Sequence, residues 1–178
     1  VGTSVAGLAP GTHTLTVRDV NSCVLTINYT VGDNPLPTAS VTNSININCF
    51  GGSTGSFTVA ALTGIAPFTY SLTAPVQSNT SGVFTGLPAG AYNVTVSDNT
   101  GCTTTTSVTL TQPTALTLTT TALAANCFGS ATGTVSASGS GGVAPYTYLW
   151  PALASNTNAT VSNVAAGTYS VTQTDANG

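Results

Sequence analysis

The run Gly86-Leu87-Pro88-Ala89-Gly90-Ala91-Tyr92-Asn93-Val94-Thr95-Val96-Ser97-Asp98 decides the fold. From Tyr92 onward, apolar and polar residues alternate. Tyr92, Val94 and Val96 fall on one face and Asn93, Thr95 and Ser97 on the other. A strand points successive side chains to opposite sides, so this pattern predicts one face in a core and one in water.

The same stretch occurs twice more. It appears as Gly7-Leu8-Ala9-Pro10-Gly11-Thr12-His13-Thr14-Leu15-Thr16-Val17-Arg18-Asp19, and as Asn163-Val164-Ala165-Ala166-Gly167-Thr168-Tyr169-Ser170-Val171-Thr172-Gln173-Thr174-Asp175. The closing aspartates are 79 and 77 residues apart. Asn48-Cys49-Phe50-Gly51 returns as Asn126-Cys127-Phe128-Gly129, and Ala66-Pro67-Phe68-Thr69-Tyr70 as Ala144-Pro145-Tyr146-Thr147-Tyr148, both shifted by 78. The period is therefore about 78 residues, a size suited to a small β-sandwich. Prolines at 35, 37 and 113 mark the seams. The expected units are 1–36, the C-terminal part of a repeat; 37–112, a complete repeat; and 113–178, most of a third. Val1 falls partway through a unit, so a preceding segment is expected.

Within the complete unit, alternation predicts strands near 39–48, 55–62, 68–73, 83–87, 91–98 and 102–111. No window carries a helical pattern, and Thr, Val, Gly and Pro all disfavour helix. The fold class expected is all-β, as tandem Ig-like sandwiches. Tyr92 and Tyr169 open a strand just after a turn, the placement of the tyrosine corner of Ig-like domains, and His13 takes that slot in the first unit. Gly11, Gly90 and Gly167 precede these corner residues. Gln173 stands where Val17 and Val96 put an apolar side chain.

Composition excludes several functions. Only 3% of the 178 residues are charged, with one Arg, no Lys and four Asp, against about 25% in ordinary globular domains. One arginine makes no basic face for nucleic acid or anionic lipid. No window approaches the roughly 20 apolar residues of a membrane span. Expected partners are therefore neighbouring repeats and surface polysaccharide, with no nucleic acid and no membrane insertion in this segment. Strand edges lack the lysines that commonly guard them, so they are expected to be covered by neighbouring repeats, other chains or glycans.

Catalytic groups are nearly absent. His13 is the only histidine, and Asp19 lies six residues along the same strand, about 20 Å away, far beyond the reach a triad requires. The aspartates recur once per unit, which suggests a structural role. Asp19, Asp98 and Asp175 each begin a turn, with Gly at positive φ following in the later two. Calcium is the rival reading, with Asp33 as a supplementary ligand, but one carboxylate per turn falls short of its 6–8 oxygens. No cofactor is expected. Trp150 reads as a buried core residue of the strand that carries Tyr146 and Tyr148.

The four cysteines, Cys23, Cys49, Cys102 and Cys127, suggest an oxidising compartment. Zinc spacing is absent. Pairing within the unit joins Cys49 to Cys102; pairing across the seams joins Cys23 to Cys49 and Cys102 to Cys127. Loop entropy barely separates these, at roughly 4 against roughly 3.5 kcal/mol. Six alternating strands would put Cys49 and Cys102 at one end and favour that pair, whereas a seventh strand within 74–82 would reverse the argument.

The combination of Asn-Cys-Phe-Gly, Gly-x-Ala-Pro-Tyr-Thr-Tyr and the closing Ala-Ala-Gly-Thr-Tyr-Ser-Val-Thr-Gln-Thr-Asp-Ala-Asn-Gly resembles SprB-type repeats. The resemblance extends over essentially the whole chain. It implies a large surface protein of gliding Bacteroidota, exported by the type IX system, extracellular, and used in motility or adhesion. His13, Gln173 and the long 74–82 connection depart from the family pattern. The expected function is a structural or adhesive segment of such a protein, not an enzyme. Two alternatives stay open: a subunit of a non-covalently polymerised fibre, and a carbohydrate-binding accessory module of a secreted enzyme.

Overall fold

The computed structural model describes residues 4–178; the first three positions of the unit expected at 1–36 lie outside the described residues. The chain is built of strands in several antiparallel sheets, consistent with tandem β-repeats. No helix among the described residues is long and apolar enough to cross a membrane, which says nothing of a β-barrel.

The opening hairpin is β1 (Gly11–Arg18) and β2 (Val24–Val31), paired from Gly11↔Val31 to Arg18↔Val24. Then come β3 (Thr38–Ile45), β4 (Gly55–Thr63), β5 (Thr69–Thr73), β6 (Val76–Asn79), β7 (Val83–Leu87), β8 (Gly90–Ser97) and β9 (Thr103–Leu110). One sheet has the order β3-β4-β7 and the other β6-β5-β8-β9. Neither closes on itself, but both contribute to one core. Phe57, Val59, Phe84 and Leu87 from the first sheet meet Tyr70, Leu72, Tyr92, Val94, Val96 and Leu110 from the second, with Ile47 beside them. Tyr92, Val94 and Val96 are buried while Asn93 faces out, as alternation requires.

Six strands lie where the alternation placed them. The seventh, β6, occupies the 74–82 stretch and pairs with β5 from Tyr70↔Asn79 to Thr73↔Val76. It changes the end at which each later turn lies. Ile47 N–H donates to the Thr111 carbonyl, so the β3–β4 loop sits at the end where β9 finishes. Asn99 N–H donates to the Ile65 carbonyl, so the β8–β9 turn sits at the opposite end.

The remaining strands are β10 (Thr117–Leu123), β11 (Gly133–Ser140), β12 (Thr147–Leu149), β13 (Thr160–Val164) and β14 (Thr172–Thr174). They form sheets β10-β11-β13 and β12-β14, with a smaller core of Val135, Ala137, Trp150 and Val164. The indole N–H of Trp150 donates to the Asn158 carbonyl at 2.9 Å, so the buried ring leaves no unpaired donor.

Candidate functional site: corners, aspartate turns and the joint between repeats

Three corner residues make the same bond. The Tyr92 hydroxyl donates to the Pro88 carbonyl at 2.6 Å, and the Tyr169 hydroxyl to the Ala165 carbonyl at 2.8 Å. His13 Nε2 donates to the Ala9 carbonyl at 2.7 Å, which identifies Nε2 as the protonated nitrogen. Each closes back over four residues. Gly90 and Gly167 lie against the tyrosine rings, where a Cβ would come within 3.9 Å and 3.5 Å respectively; Gly11 heads β1. Gly7, Gly86 and Asn163 begin these turns at φ 74°, 71° and 61°. Only Gly and, at some cost, Asn tolerate that region well, which explains Asn163 in a slot otherwise held by glycine. Burial pushes the Tyr92 phenol above its ordinary value.

The aspartates turn their carboxylates inward. Asp98 Oδ1 accepts from the N–H groups of Thr100 (2.9 Å) and Cys102 (3.0 Å) and from the Thr100 hydroxyl (2.7 Å); Oδ2 accepts from Ile65 N–H at 3.3 Å. The hydroxyl of Thr100 is the main cause holding the Asp98 carboxyl below the ordinary carboxylate value. Burial opposes it, and the N–H groups of Ile65, Thr100 and Cys102 reinforce it. Asp19 Oδ1 accepts from Asn21 and Cys23 N–H. Asp175 Oδ1 accepts from Asn177 N–H, and Oδ2 from Val143 N–H at 2.9 Å. Asp98 thus accepts four hydrogen bonds, about as many as a carboxylate can take, whereas Asp19 and Asp175 accept two each. No group of three or more His, Cys, Asp or Glu able to hold a metal occurs among the described residues.

The expected disulfides are corrected by the fold. All four cysteines are free thiols. Cys49 lies in the β3–β4 loop and Cys102 in the β8–β9 turn, at opposite ends of the unit. The eight residues of β9 span the distance between those ends, about 27 Å at roughly 3.4 Å per residue. A disulfide needs Cα atoms within about 7 Å. The short strand β6, which the sequence reading left as a connection, is the cause. Neither seam-crossing pair is formed either, since Cys23, Cys49, Cys102 and Cys127 are all free.

A joint between the second and third units is the part of the molecule that no single motif announces. Asn177 Nδ2 donates to the Asn48 carbonyl at 2.6 Å across 129 residues, so the aspartate turn of the third unit rests on the Asn-Cys-Phe-Gly loop of the second. Gly51 N–H donates to the side chain of Gln112, tying that loop to the linker. Gly142 N–H donates to the Thr114 carbonyl, which fastens the third unit to the same linker. Cys49, Phe50, Leu116, Asp175 and Gly178 line one cleft of about 530 Å³ there. Phe50 is 59% exposed, whereas its counterpart Phe128 is fully exposed. The signal was present as the recurrence of the whole Asn-Cys-Phe-Gly run, which a single strand or turn does not require.

A chain that repeats one β-unit and spends its polar side chains on corners, turns and joints is a structural repeat protein. Residues 41–77 and 119–154 both match the SprB repeat. The SprB repeat is an extracellular repeat of the gliding-motility adhesin class, structural rather than catalytic. No curated protein matches the chain.

Proposed function

We propose that this chain is a stretch of the stalk of a large cell-surface adhesin, in which Ig-like β-sandwiches divided at 1–36, 37–112 and 113–178 follow one another in series. Its work is to hold an adhesive surface away from the cell, with neighbouring repeats as its immediate partners and surface polysaccharide as the class of target. The observation that carries this reading is the end-to-end joint, where the Asn177 amide meets the Asn48 carbonyl and the linker is bonded on both sides. Stacked units that touch only their neighbours form an extended array. The carbohydrate-module alternative loses its best platform, because Trp150 is buried and its N–H engaged.

The test is the size of the native polypeptide on reducing denaturing electrophoresis, with peptide identification. The expected band lies at several hundred kilodaltons, one covalent array of many repeats. A band of a few tens of kilodaltons would overturn the stalk and favour a non-covalent polymer.

A further inference from the structure

The turn at 175–178 meets a thiol it does not itself contain. Cysteine stands four residues after the aspartate in Asp19–Cys23 and again in Asp98–Cys102. In both, the aspartate fixes the cysteine backbone from two sides. Oδ1 accepts the cysteine N–H at 2.8 Å and 3.0 Å, and the aspartate N–H donates to the cysteine carbonyl at 3.0 Å in each. Counted from Asp175, the same offset is the position that follows Gly178. Gly178 lines the cleft that also holds Cys49 and Phe50, and its neighbour Asn177 bonds to the Asn48 carbonyl. One further residue advances the chain by about 3.8 Å, and a disulfide joins Cα atoms about 4.4–6.8 Å apart. Cys49 is exposed and Cys102 half-buried, so both kinds of thiol are open to exchange.

We propose that successive repeats are cross-linked: the cysteine of each Asn-Cys-Phe-Gly loop bonds to the cysteine closing the aspartate turn of the next repeat. The inference rests on the end-to-end stacking proposed above. It accounts for the free thiols: if every joint repeats the one between the second and third units, Cys49 and Cys127 meet the following unit and Cys23 and Cys102 the preceding one. Bond formation removes two protons and two electrons from the thiol pair. They pass to a disulfide-carrying oxidant by thiol–disulfide exchange, and the oxidant leaves as a dithiol. A bond at every joint would leave each unit stapled to both neighbours and to no cysteine of its own.

The test appends one cysteine after Gly178 and oxidises the chain in glutathione disulfide. Of five cysteines, the chain's four and the added one, two are expected to be joined in a protein disulfide, the other three staying thiols or glutathione adducts as counted by mass. Thermolysin peptides mapped without reduction are expected to join Cys49 to the added residue. The bond is also expected to raise the melting temperature read from Trp150 fluorescence, and reduction to reverse that rise. The same chain with Cys49→Ser is expected to form no protein disulfide, its four remaining cysteines staying thiols or glutathione adducts. A free added cysteine, a Cys49–Cys102 link, or linkage that survives Cys49→Ser would each overturn the proposal. None of these outcomes depends on where the protein resides or how long its array is, so the stalk reading stands or falls separately.

Discussion

Single side chains carry the repeat's identity. Removing the corner hydroxyl by Tyr92→Phe leaves the Pro88 carbonyl without its donor. The expected loss is about 0.5–1.5 kcal/mol in urea denaturation. Asp98 ties stability to pH. Its folded carboxyl titrates below the ordinary value of 3.8, so its contribution is complete above that value and is lost as pH falls through the lower folded one. The melting temperature is expected to drop as pH falls below the ordinary carboxylate value, with a shallower slope in Asp98→Asn. Gln173 works against the third unit. Both polar atoms of its amide are buried without partners, in the slot that holds Val96 in the second unit. Gly139, at the position of Ala61, makes the room: a Cβ there would lie 1.9 Å from Gln173 Nε2. Gln173→Val is expected to stabilise the chain by about 1–3 kcal/mol on thermal melting, the cost of an unsatisfied buried amide.

At the scale of elements, alternation was enough wherever a strand had one face in the core. Strands β4 and β8 show it most clearly, with Gly55, Phe57 and Val59 buried in one and Tyr92, Val94 and Val96 in the other. It failed at β6, an edge strand whose Val76-Gln77-Ser78-Asn79 run follows Pro75 and is largely polar, with no residue fully buried. Such a strand is held by its backbone ladder to β5 rather than by apolar burial, so no hydrophobic rhythm announces it. That one omission also inverted the cysteine argument, because strand parity decides which loops share an end. The corner residues were legible for the opposite reason: their partners lie four residues away, within one turn. The joint was not, since Asn48 and Asn177 become neighbours only after two units have folded and stacked. Gly82 shows how closely the sheet is fitted. It has φ 73°, and its carbonyl accepts from Val59 N–H at 2.9 Å. A Cβ would lie 2.1 Å from the Val59 carbonyl oxygen. Gly82→Ala is expected to cost at least about 1–3 kcal/mol, seen as a lower urea midpoint with an unchanged slope.

The whole molecule is a series of small cores with almost no charge. With one Arg and four Asp in 178 residues, little of the stability can come from ion pairs. The melting temperature is expected to stay nearly constant from about 10 mM to about 500 mM sodium chloride, a range that screens charge pairs strongly. Burial is also local to each unit. In β1, Leu15 and Val17 are about half exposed, whereas Val94 and Val96, their counterparts in β8, are fully buried by the facing sheet. A hairpin alone has no such sheet, so the unit rather than the hairpin is the smallest part able to build this core.

Strands β3 and β9 are the first and last of their unit and run in the same direction. In the proposed stalk, load would enter β3 at Thr38 and leave β9 at Leu110, at opposite ends. The two strands are drawn apart lengthwise, parallel to their own axes and across the direction of their ladder bonds. The pairs between β3 and β4 and those between β8 and β9 then bear force together in shear, instead of opening one after another like a zip. Resistance of this kind belongs to the unfolding rate rather than to the equilibrium, so a module with a modest free energy of folding can still be a stiff link in a tether.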